Sequence, residues 1–288
     1  MNYLNPGDTI GVCAPSARFN EEKFGKGLDI LKQMGFKVIV PEDIFLKKRY
    51  LAGDDAFRAK VVAQMFVDPH IHGIICARGG FGAMRLLPYL DWTILKKHPT
   101  LFAGFSDNAA LLVSLISRTG QAVIHGPTLL SLADADPATV ASFYDTLTGK
   151  PTIIPLDHAR CLIPGRCKGT LTGGNLATIA HLTGTPYQPD LKEKIFFFED
   201  VGEPAYKIDR MLSQMKMAGV FRGLAGVVTG TFTNCDQKEY IDEILIETFT
   251  DLNIPVMGQI DAGHGPVNYS LVMGHDVRMD TLSRELLW

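Results

Sequence analysis

The sequence predicts an α/β protein, with an N-terminal, mainly parallel sheet covered by helices on both faces and a C-terminal β-rich α+β domain. Two observations support this prediction: short apolar runs alternate with helix-length segments in the first half, and the second half loses that regular alternation. Strands that alternate with helices need crossover connections, which make the strands parallel. The chain has 288 residues, 46% of them hydrophobic, and can therefore fill one large core or two ordinary ones.

The elements of the first half follow in order. A buried strand is predicted at 9–14, and a helix runs from Glu21 to Met34, where Gly35 ends the pattern. The remaining predictions are strands at 37–40, 73–77 and 100–104, with helices at 56–66, at 84–90 and from 108 onward. Ligands of such sheets bind beyond the carboxyl ends of the strands. Functional residues are therefore expected in the turns that follow these strands.

The pattern changes between residues 150 and 168, where the segment KPTIIPLDHARCLIPGRCK carries three prolines and no helical period. We therefore predict an N-terminal α/β domain over 1–150, a linker over 151–168 and a C-terminal β-rich domain over 169–288. In the last of these, strands are predicted at 194–198, 226–231 and 255–258, helices at 206–217 and 239–248, and short strands with turns after 269.

Charge and cysteine content exclude several classes of protein. The net charge of −3 does not favour a nucleic acid or an anionic membrane as partner, so a small molecule or a peptide is expected. The N-terminus has neither a signal-peptide pattern nor an apolar run of membrane-spanning length, which predicts a cytoplasmic protein. Five cysteines without a CxxC pair predict no disulfide framework and no structural zinc. No metal or other cofactor is expected.

The segment Gly104-Phe105-Ser106-Asp107 joins a predicted strand to a strong helix pattern. Such a turn exposes the serine hydroxyl and places the next backbone N–H at a helix start, where negative charge is favoured. The motif differs from the hydrolase pattern GxSxG in having Asn108 in place of the second glycine. The alternative is that Ser106 or Asp107 only caps the helix.

A glycine-rich turn follows the preceding predicted strand: Arg78-Gly79-Gly80-Phe81-Gly82. Glycines allow the backbone to approach a ligand and to direct its N–H groups at it, as an oxyanion hole or a phosphate site requires. The turn lacks the Lys-Ser/Thr of a P-loop and the spacing of a dinucleotide motif. An ordinary glycine turn is the alternative interpretation.

A serine nucleophile needs a base and an acid that orients it. His264 lies between two glycines in the segment DAGHGP, which leaves the imidazole accessible, whereas His125 and His181 could equally be core residues. An apolar predicted strand ends at Glu199 and Asp200, and Glu203 follows closely. The local pattern does not choose among these three carboxylates.

Taken together, the motifs resemble the L,D-carboxypeptidase family of serine peptidases, which includes muramoyltetrapeptide carboxypeptidase and the microcin C immunity peptidases. The resemblance rests on six segments in the order of the family: PGDTIGVCAPS, ARGGFGAMRLLPYLD, GFSD, GTLTGGNL, FFFEDVGEPAYKIDRML and GHG. It implies Ser106 as nucleophile, His264 as general base and Glu199 as the orienting acid. It also implies an oxyanion hole formed by the N–H groups of Gly79 and Asp107.

The resemblance further implies cleavage of the L–D bond in a muropeptide tetrapeptide, with release of D-alanine during peptidoglycan recycling, and a homodimer. A peptidyl-nucleotide amide hydrolase and a non-catalytic peptide-binding protein are the alternatives. An arginine is expected to bind the substrate carboxylate. Candidates are Arg78, with Gly80 in the same turn, and Arg85 and Arg210. The chain departs from many relatives at Ala109 and Thr172, which makes substrate preference the open part of the prediction.

Overall fold

The computed structural model describes residues 2–151 and 154–288, which divide into two compact units. The first unit holds residues 2–151 together with Tyr269–Val272, and the second holds residues 154–268 together with Met273–Trp288. Each unit contains one sheet. The chain therefore returns to the first unit for a short stretch after residue 268.

The strands and α-helices have the following bounds. The strands are β1 (Thr9–Cys13), β2 (Lys37–Ile39), β3 (Gly73–Cys76), β4 (Leu101–Gly104), β5 (Val123–His125), β6 (Arg160–Ile163), β7 (Arg166–Asn175), β8 (Lys194–Val201), β9 (Gly226–Thr233), β10 (Val256–Gly258), β11 (Leu271–Met273), β12 (Asp276–Asp280) and β13 (Glu285–Leu287). The helices are α1 (Glu21–Gln33), α2 (Asp55–Val67), α3 (Trp92–Lys97), α4 (Ala109–Thr119), α5 (Leu129–Leu132), α6 (Pro137–Thr148), α7 (Leu176–Ala180), α8 (Ala205–Met217) and α9 (Ile241–Phe249).

The sheet of the first unit has the strand order β11-β5-β4-β3-β1-β2. The pairs β2–β1, β1–β3, β3–β4 and β4–β5 are all parallel, which confirms the predicted α/β class. β3 and β4 are buried along their whole length, as expected for strands covered by helices. Because these strands run in one direction, the turns after β3 and after β4 lie at the same edge of the sheet.

The sheet of the second unit has the order β13-β12-β7-β8-β9-β10-β6. Its four central strands, β7 to β10, are parallel. β6 and β12 pair with them in antiparallel fashion, and β13 pairs antiparallel with β12. The core contains the fully buried rings of Phe196, Phe197 and Phe198 in β8. The rings of Phe196 and Phe198 lie 5.0 Å apart on one face, and alternation along the strand directs Phe197 to the other.

Several elements differ from the prediction. The segment 151–168, predicted as a linker, contains β6 and the start of β7. The predicted helix at 84–90 is a 3-10 helix, Ala83–Tyr89, with Pro88 inside it, and proline removes the hydrogen-bond donor that an α-helix needs.

Within residues 2–151 and 154–288, no helix combines the length and the hydropathy that crossing a membrane requires.

Candidate active site

Ser106 occupies the turn between β4 and α4, at the start of a short 3-10 helix, Ser106–Asn108. Its φ of +62° lies in the left-handed region, which costs a residue with a side chain about 1–2 kcal/mol. Such strain persists only where the surrounding structure holds it, and it is typical of nucleophile turns. The residue is partly exposed. In the described part of the chain, no side-chain hydrogen bond caps this 3-10 helix or α4, which argues against a purely capping role.

The Gly79 turn after β3 packs directly against Ser106. A Cβ atom on Gly79 would lie 2.6 Å from Ser106 Cβ, 2.7 Å from Ser106 Oγ and 3.4 Å from the backbone nitrogen of Asp107. Only glycine allows this approach. The backbone of Gly79 and the N–H of Asp107 therefore lie beside the same hydroxyl, where an oxyanion hole needs its donors. Gly80 follows with a φ of +105°.

The carboxylate of Asp107 is buried and points into the protein. It accepts hydrogen bonds from Ser16 Oγ at 2.6 Å and from the backbone N–H of Ala83 at 2.8 Å. Burial raises the pKa of Asp107, against the opposing effect of these two hydrogen bonds and of the charge of Arg58. The side chain of Asp107 thus anchors the turn, while its N–H stands at the first turn of the helix, where intrahelical acceptors are absent.

In the second unit, Glu199 and His264 form a close pair. His264 Nδ1 donates to Glu199 Oε2 at 2.6 Å, and the backbone N–H of His264 donates to the same oxygen at 3.2 Å. Glu199 is fully buried, and the His264 side chain is 18% exposed. The carboxylate accepts but cannot donate, so Nδ1 carries the proton and Nε2 is the basic nitrogen.

Gly263 permits this contact. Its φ is +114°, and a Cβ atom there would lie 2.6 Å from both Cγ and Oε2 of Glu199. The Gly263 N–H donates to Asn268 Oδ1 at 2.8 Å, which holds the loop that carries His264. Of the two glycines that flank His264 in the sequence, Gly263 is therefore the one that the close approach of the Glu199 carboxylate requires.

The surroundings of His264 act on its pKa in opposite directions. Burial lowers the pKa, while the hydrogen bond and the negative charge of Glu199 raise it, with a further contribution from Asp200. The net result is a pKa above the ordinary value of 6.5. A histidine whose protonated form is stabilised in this way can hold a proton during a reaction and release it afterwards.

The other two candidate carboxylates bind other partners. Asp200 accepts hydrogen bonds from Asn175 Nδ2 at 2.9 Å and from the backbone N–H groups of Ala177 and Val201 at 3.0 and 2.8 Å. Burial raises its pKa to about 6. Glu203 forms an ion pair with Lys207, one helical turn further along, at 3.3 Å. Glu199 is therefore the carboxylate in contact with His264.

The three candidate arginines have different environments. Arg85 is engaged by Asp55, whose two oxygens lie 3.0 Å from Arg85 Nε. Arg210 is exposed on α8, with its guanidinium carbon 5.3 Å from the centre of the Tyr206 ring. Arg78 is also exposed, precedes Gly79 directly, and donates one hydrogen bond from Nη1 to the carbonyl of Arg18 at 2.7 Å. Arg78 is thus the candidate in the same turn as Gly79.

An open cleft of about 570 Å³ lies in the second unit. Its lining carries charges of both signs, with Arg160 and Lys238 against Glu239 and Asp261, and one aromatic ring, Phe232. Asp261, which lines the cleft, belongs to the same loop as His264 and precedes it by three positions in the sequence. Apart from Asp261, which is part of the DAGHGP motif, the sequence pattern does not single out these residues, because they come from separate loops and strands.

Family models match most of the chain. The LD-carboxypeptidase N-terminal domain matches residues 10–126, and the LD-carboxypeptidase C-terminal domain matches residues 168–279. A probable murein peptide carboxypeptidase of Bacillus subtilis is 33% identical over 99% of this chain and 93% of its own length. The microcin C7 self-immunity protein MccF of Escherichia coli is 27% identical over 96% of this chain and 92% of its own length.

A solved structure agrees with these matches. The muramoyltetrapeptide carboxypeptidase of Oxalobacter formigenes is similar with a TM-score of 0.86 and 26% identity, covering 96% of this chain and 97% of that one. The similarity therefore includes both units and both groups of candidate site residues. The two domain matches and the identity to the Bacillus protein show that this chain belongs to the LD-carboxypeptidase family.

Proposed function

We propose that this protein is a serine-type L,D-carboxypeptidase that removes the terminal D-alanine from cell-wall muropeptide tetrapeptides. The observation that carries the proposal is the strained Ser106 turn, which lies against the backbone of Gly79 and beside the N–H of Asp107. The names of the relatives support the substrate, since one is named a probable murein peptide carboxypeptidase and another a muramoyltetrapeptide carboxypeptidase.

In the proposed mechanism, Ser106 Oγ attacks the carbonyl carbon of the L–D bond, and His264 Nε2 takes the hydroxyl proton. Glu199 holds the imidazole through Nδ1 and stabilises the imidazolium. The carbonyl oxygen becomes an oxyanion that the N–H groups of Gly79 and Asp107 stabilise, each donor contributing about 3 kcal/mol. His264 then donates its proton to the leaving amine of D-alanine, and an acyl-enzyme remains.

Water completes the reaction. His264 takes a proton from the water as its oxygen attacks the acyl carbon, and it returns that proton to Ser106 as the ester bond breaks. The products are the tripeptide carboxylate and the free serine hydroxyl. Each step uses groups of this chain and water alone.

A carboxypeptidase must also recognise the free terminal carboxylate of its substrate. We assign this role to Arg78, because it adjoins Gly79 and is exposed, whereas Arg85 already binds Asp55. The cleft of the second unit, with charges of both signs, suits the remainder of a peptide that carries amino and carboxylate groups. If the substrate is a recycled wall fragment, we expect the reaction to take place in the cytoplasm. We also expect a homodimer, which sedimentation analysis tests.

The test is incubation of the purified protein with a muropeptide tetrapeptide, followed by measurement of free D-alanine. We expect release by the wild type and a loss of at least about 10³-fold in Ser106→Ala, since removal of a triad member leaves only the binding and oxyanion contributions. Absence of release, or equal release by Ser106→Ala, would overturn the proposal.

Hydrolysis of a peptidyl-nucleotide is the second candidate. It is favoured by the similarity to the microcin immunity protein and by Phe232, an aromatic ring in the cleft on which a base could stack. Thr172, where the family resemblance implies a departure from many relatives, is buried and offers no such ring. Comparison of kcat/KM for an aminoacyl sulfamoyl adenosine with that for the tetrapeptide distinguishes the two activities.

A further inference from the structure

We propose that Asn108 is a positioning residue that holds the backbone of the oxyanion hole and of the Ser106 turn in place. The inference rests on the proposed serine chemistry and deepens it. Asn108 is fully buried in the first unit, two residues after Ser106. Its side chain does not cap the helix that follows, so its hydrogen bonds go elsewhere.

The amide group of Asn108 joins two separate turns. Its Nδ2 donates to the carbonyl of Phe105 at 3.0 Å and to the carbonyl of Arg78 at 3.3 Å. Its Oδ1 accepts from Ser16 Oγ at 3.1 Å. Carbonyl oxygens can only accept hydrogen bonds, so the end of the amide that faces the two carbonyls is the NH₂ group. The other end, Oδ1, then faces the hydroxyl of Ser16, which can donate to it.

Each of the two carbonyls belongs to a peptide unit with a proposed role. A peptide bond is planar and trans, so its C=O and N–H point in opposite directions within one rigid plane. Because Asn108 binds the carbonyl of Arg78, it sets the direction of the Gly79 N–H. Because it binds the carbonyl of Phe105, it fixes the peptide that enters Ser106 at the strained φ of +62°.

One side chain therefore aligns an oxyanion donor with the nucleophile. The second proposed donor, the N–H of Asp107, is in the residue directly before Asn108. The Asp107 carboxylate and Asn108 Oδ1 share the hydroxyl of Ser16, at 2.6 and 3.1 Å, which ties both residues to the loop after β1. Loss of the Asn108 amide would remove its donor from the carbonyl of Arg78 and so release the Gly79 peptide from this arrangement. The carbonyl of Phe105 would keep the backbone N–H of Asn108, at 3.3 Å, as a donor.

The experiment uses two variants. Asn108→Asp keeps the shape of the side chain but replaces its NH₂ donor with a carboxylate oxygen, and Asn108→Ala removes the amide group without adding a charge. Asn5→Ala, at an exposed loop position of the same unit, is the matched control. The first readout is the rate at which a fluorophosphonate labels Ser106, because the phosphoryl oxygen of the adduct requires the oxyanion hole. The second is kcat and KM for the tetrapeptide. The third is tetrapeptide affinity in the Ser106→Ala background, with and without Asn108→Ala.

We expect labelling and kcat to fall together by about 10- to 100-fold, less than the 10²- to 10³-fold loss on complete removal of one oxyanion donor. KM and the affinity in the Ser106→Ala background should stay within about threefold of their references, because the substrate does not contact Asn108. The Asn5→Ala control should match the wild type in all three readouts.

Three results would overturn the inference: labelling of both variants at the wild-type rate, a loss of affinity in proportion to the loss of kcat, or failure of both variants to fold. The last would assign Asn108 to stability alone. If the wild type itself is not labelled at Ser106, the proposed function fails. Equal labelling of wild type and variants refutes only the role of Asn108.

Discussion

Replacement of Gly79 by alanine would place a methyl group where Ser106 already lies. The added Cβ would be 2.6 Å from Ser106 Cβ and 2.7 Å from Ser106 Oγ. Two carbon atoms in contact normally stand about 3.5–4.0 Å apart, so one of the two turns must move by about 1 Å. The variant thus changes the distance between the proposed nucleophile and the proposed oxyanion donor, while every polar group remains in the chain.

The expected effect on the rate follows from this shift. A displacement of about 1 Å between reacting groups costs about 10²-fold in rate, and loss of one oxyanion donor costs about 10²- to 10³-fold in kcat. We therefore expect kcat of Gly79→Ala to fall by about 10²- to 10³-fold. Overpacking of this kind also lowers the free energy of unfolding, by about 1–3 kcal/mol.

The assay is steady-state release of D-alanine from the tetrapeptide, with thermal unfolding measured on the same preparations. Gly25→Ala is the matched control, because a Cβ atom at this position in α1 would meet no atom within 4 Å. Alanine is the better helix former by about 1 kcal/mol, so the control should be fully active and slightly more stable. A folded Gly79→Ala variant with kcat within about threefold of the wild type would refute the assignment of Gly79 to the oxyanion hole.

The remaining predictions concern the second unit. Glu199→Gln should lower the His264 pKa, which Glu199 raises against the effect of burial. The base must be neutral to act, so the acid limb of kcat/KM should lie above pH 6.5 in the wild type and move to lower pH in the variant. We expect kcat to fall by about 10²- to 10⁴-fold, and NMR titration of the imidazole checks the pKa. Asp200 has a pKa of about 6 in the folded protein, whereas its ordinary value is 3.8. Between these two pH values, the folded state therefore holds a proton that the unfolded state has lost. Stability should fall by about 3 kcal/mol as pH rises from about 4 to 6, and Asp200→Asn should lose this dependence in denaturant titrations. Gly263→Ala, whose Cβ would lie 2.6 Å from Glu199 Oε2, should reduce both kcat and the unfolding temperature.

Each of these predictions has a result that would contradict it. An unchanged imidazole pKa in Glu199→Gln would mean that the contact with Nδ1 does not govern the base. A wild-type unfolding free energy that rises between pH 4 and 6, relative to Asp200→Asn, would contradict the sign for Asp200. Full activity of Gly263→Ala would show that the carboxylate does not need the approach that glycine allows.

Much of the fold could be predicted from sequence because the main elements carry local signals. The helix at α1 begins after Asn20, whose side chain accepts from Glu22, and the pattern ends at Gly35, so its bounds differ from the prediction by one residue. Short strands are also predicted after residue 269, but no local signal indicates that β11 joins the first sheet. It reaches the first sheet from a distant part of the chain, where only tertiary packing determines its partner.

The candidate site shows the same division. A serine on a strand-to-helix turn and a histidine between glycines are visible as motifs, because local backbone geometry demands these residue types. The choice among Glu199, Asp200 and Glu203 is not visible, because adjacent strand residues face opposite sides and a register shift lies between Phe198 and Asp200. The proposed role of Asn108 could not be predicted from sequence either, since the carbonyl of Arg78 that it binds is thirty positions away in the chain.

The return of residues 269–272 to the first unit limits how this protein can be recombined. A single crossover between the genes of two relatives, placed near residue 152, would exchange the second unit and carry β11 with it. The hybrid would then build its first sheet with an edge strand inherited from the other parent. An exchange of the second unit that keeps the first sheet of a single parent should therefore need three crossovers, the one near residue 152 and one on each side of the returning strand.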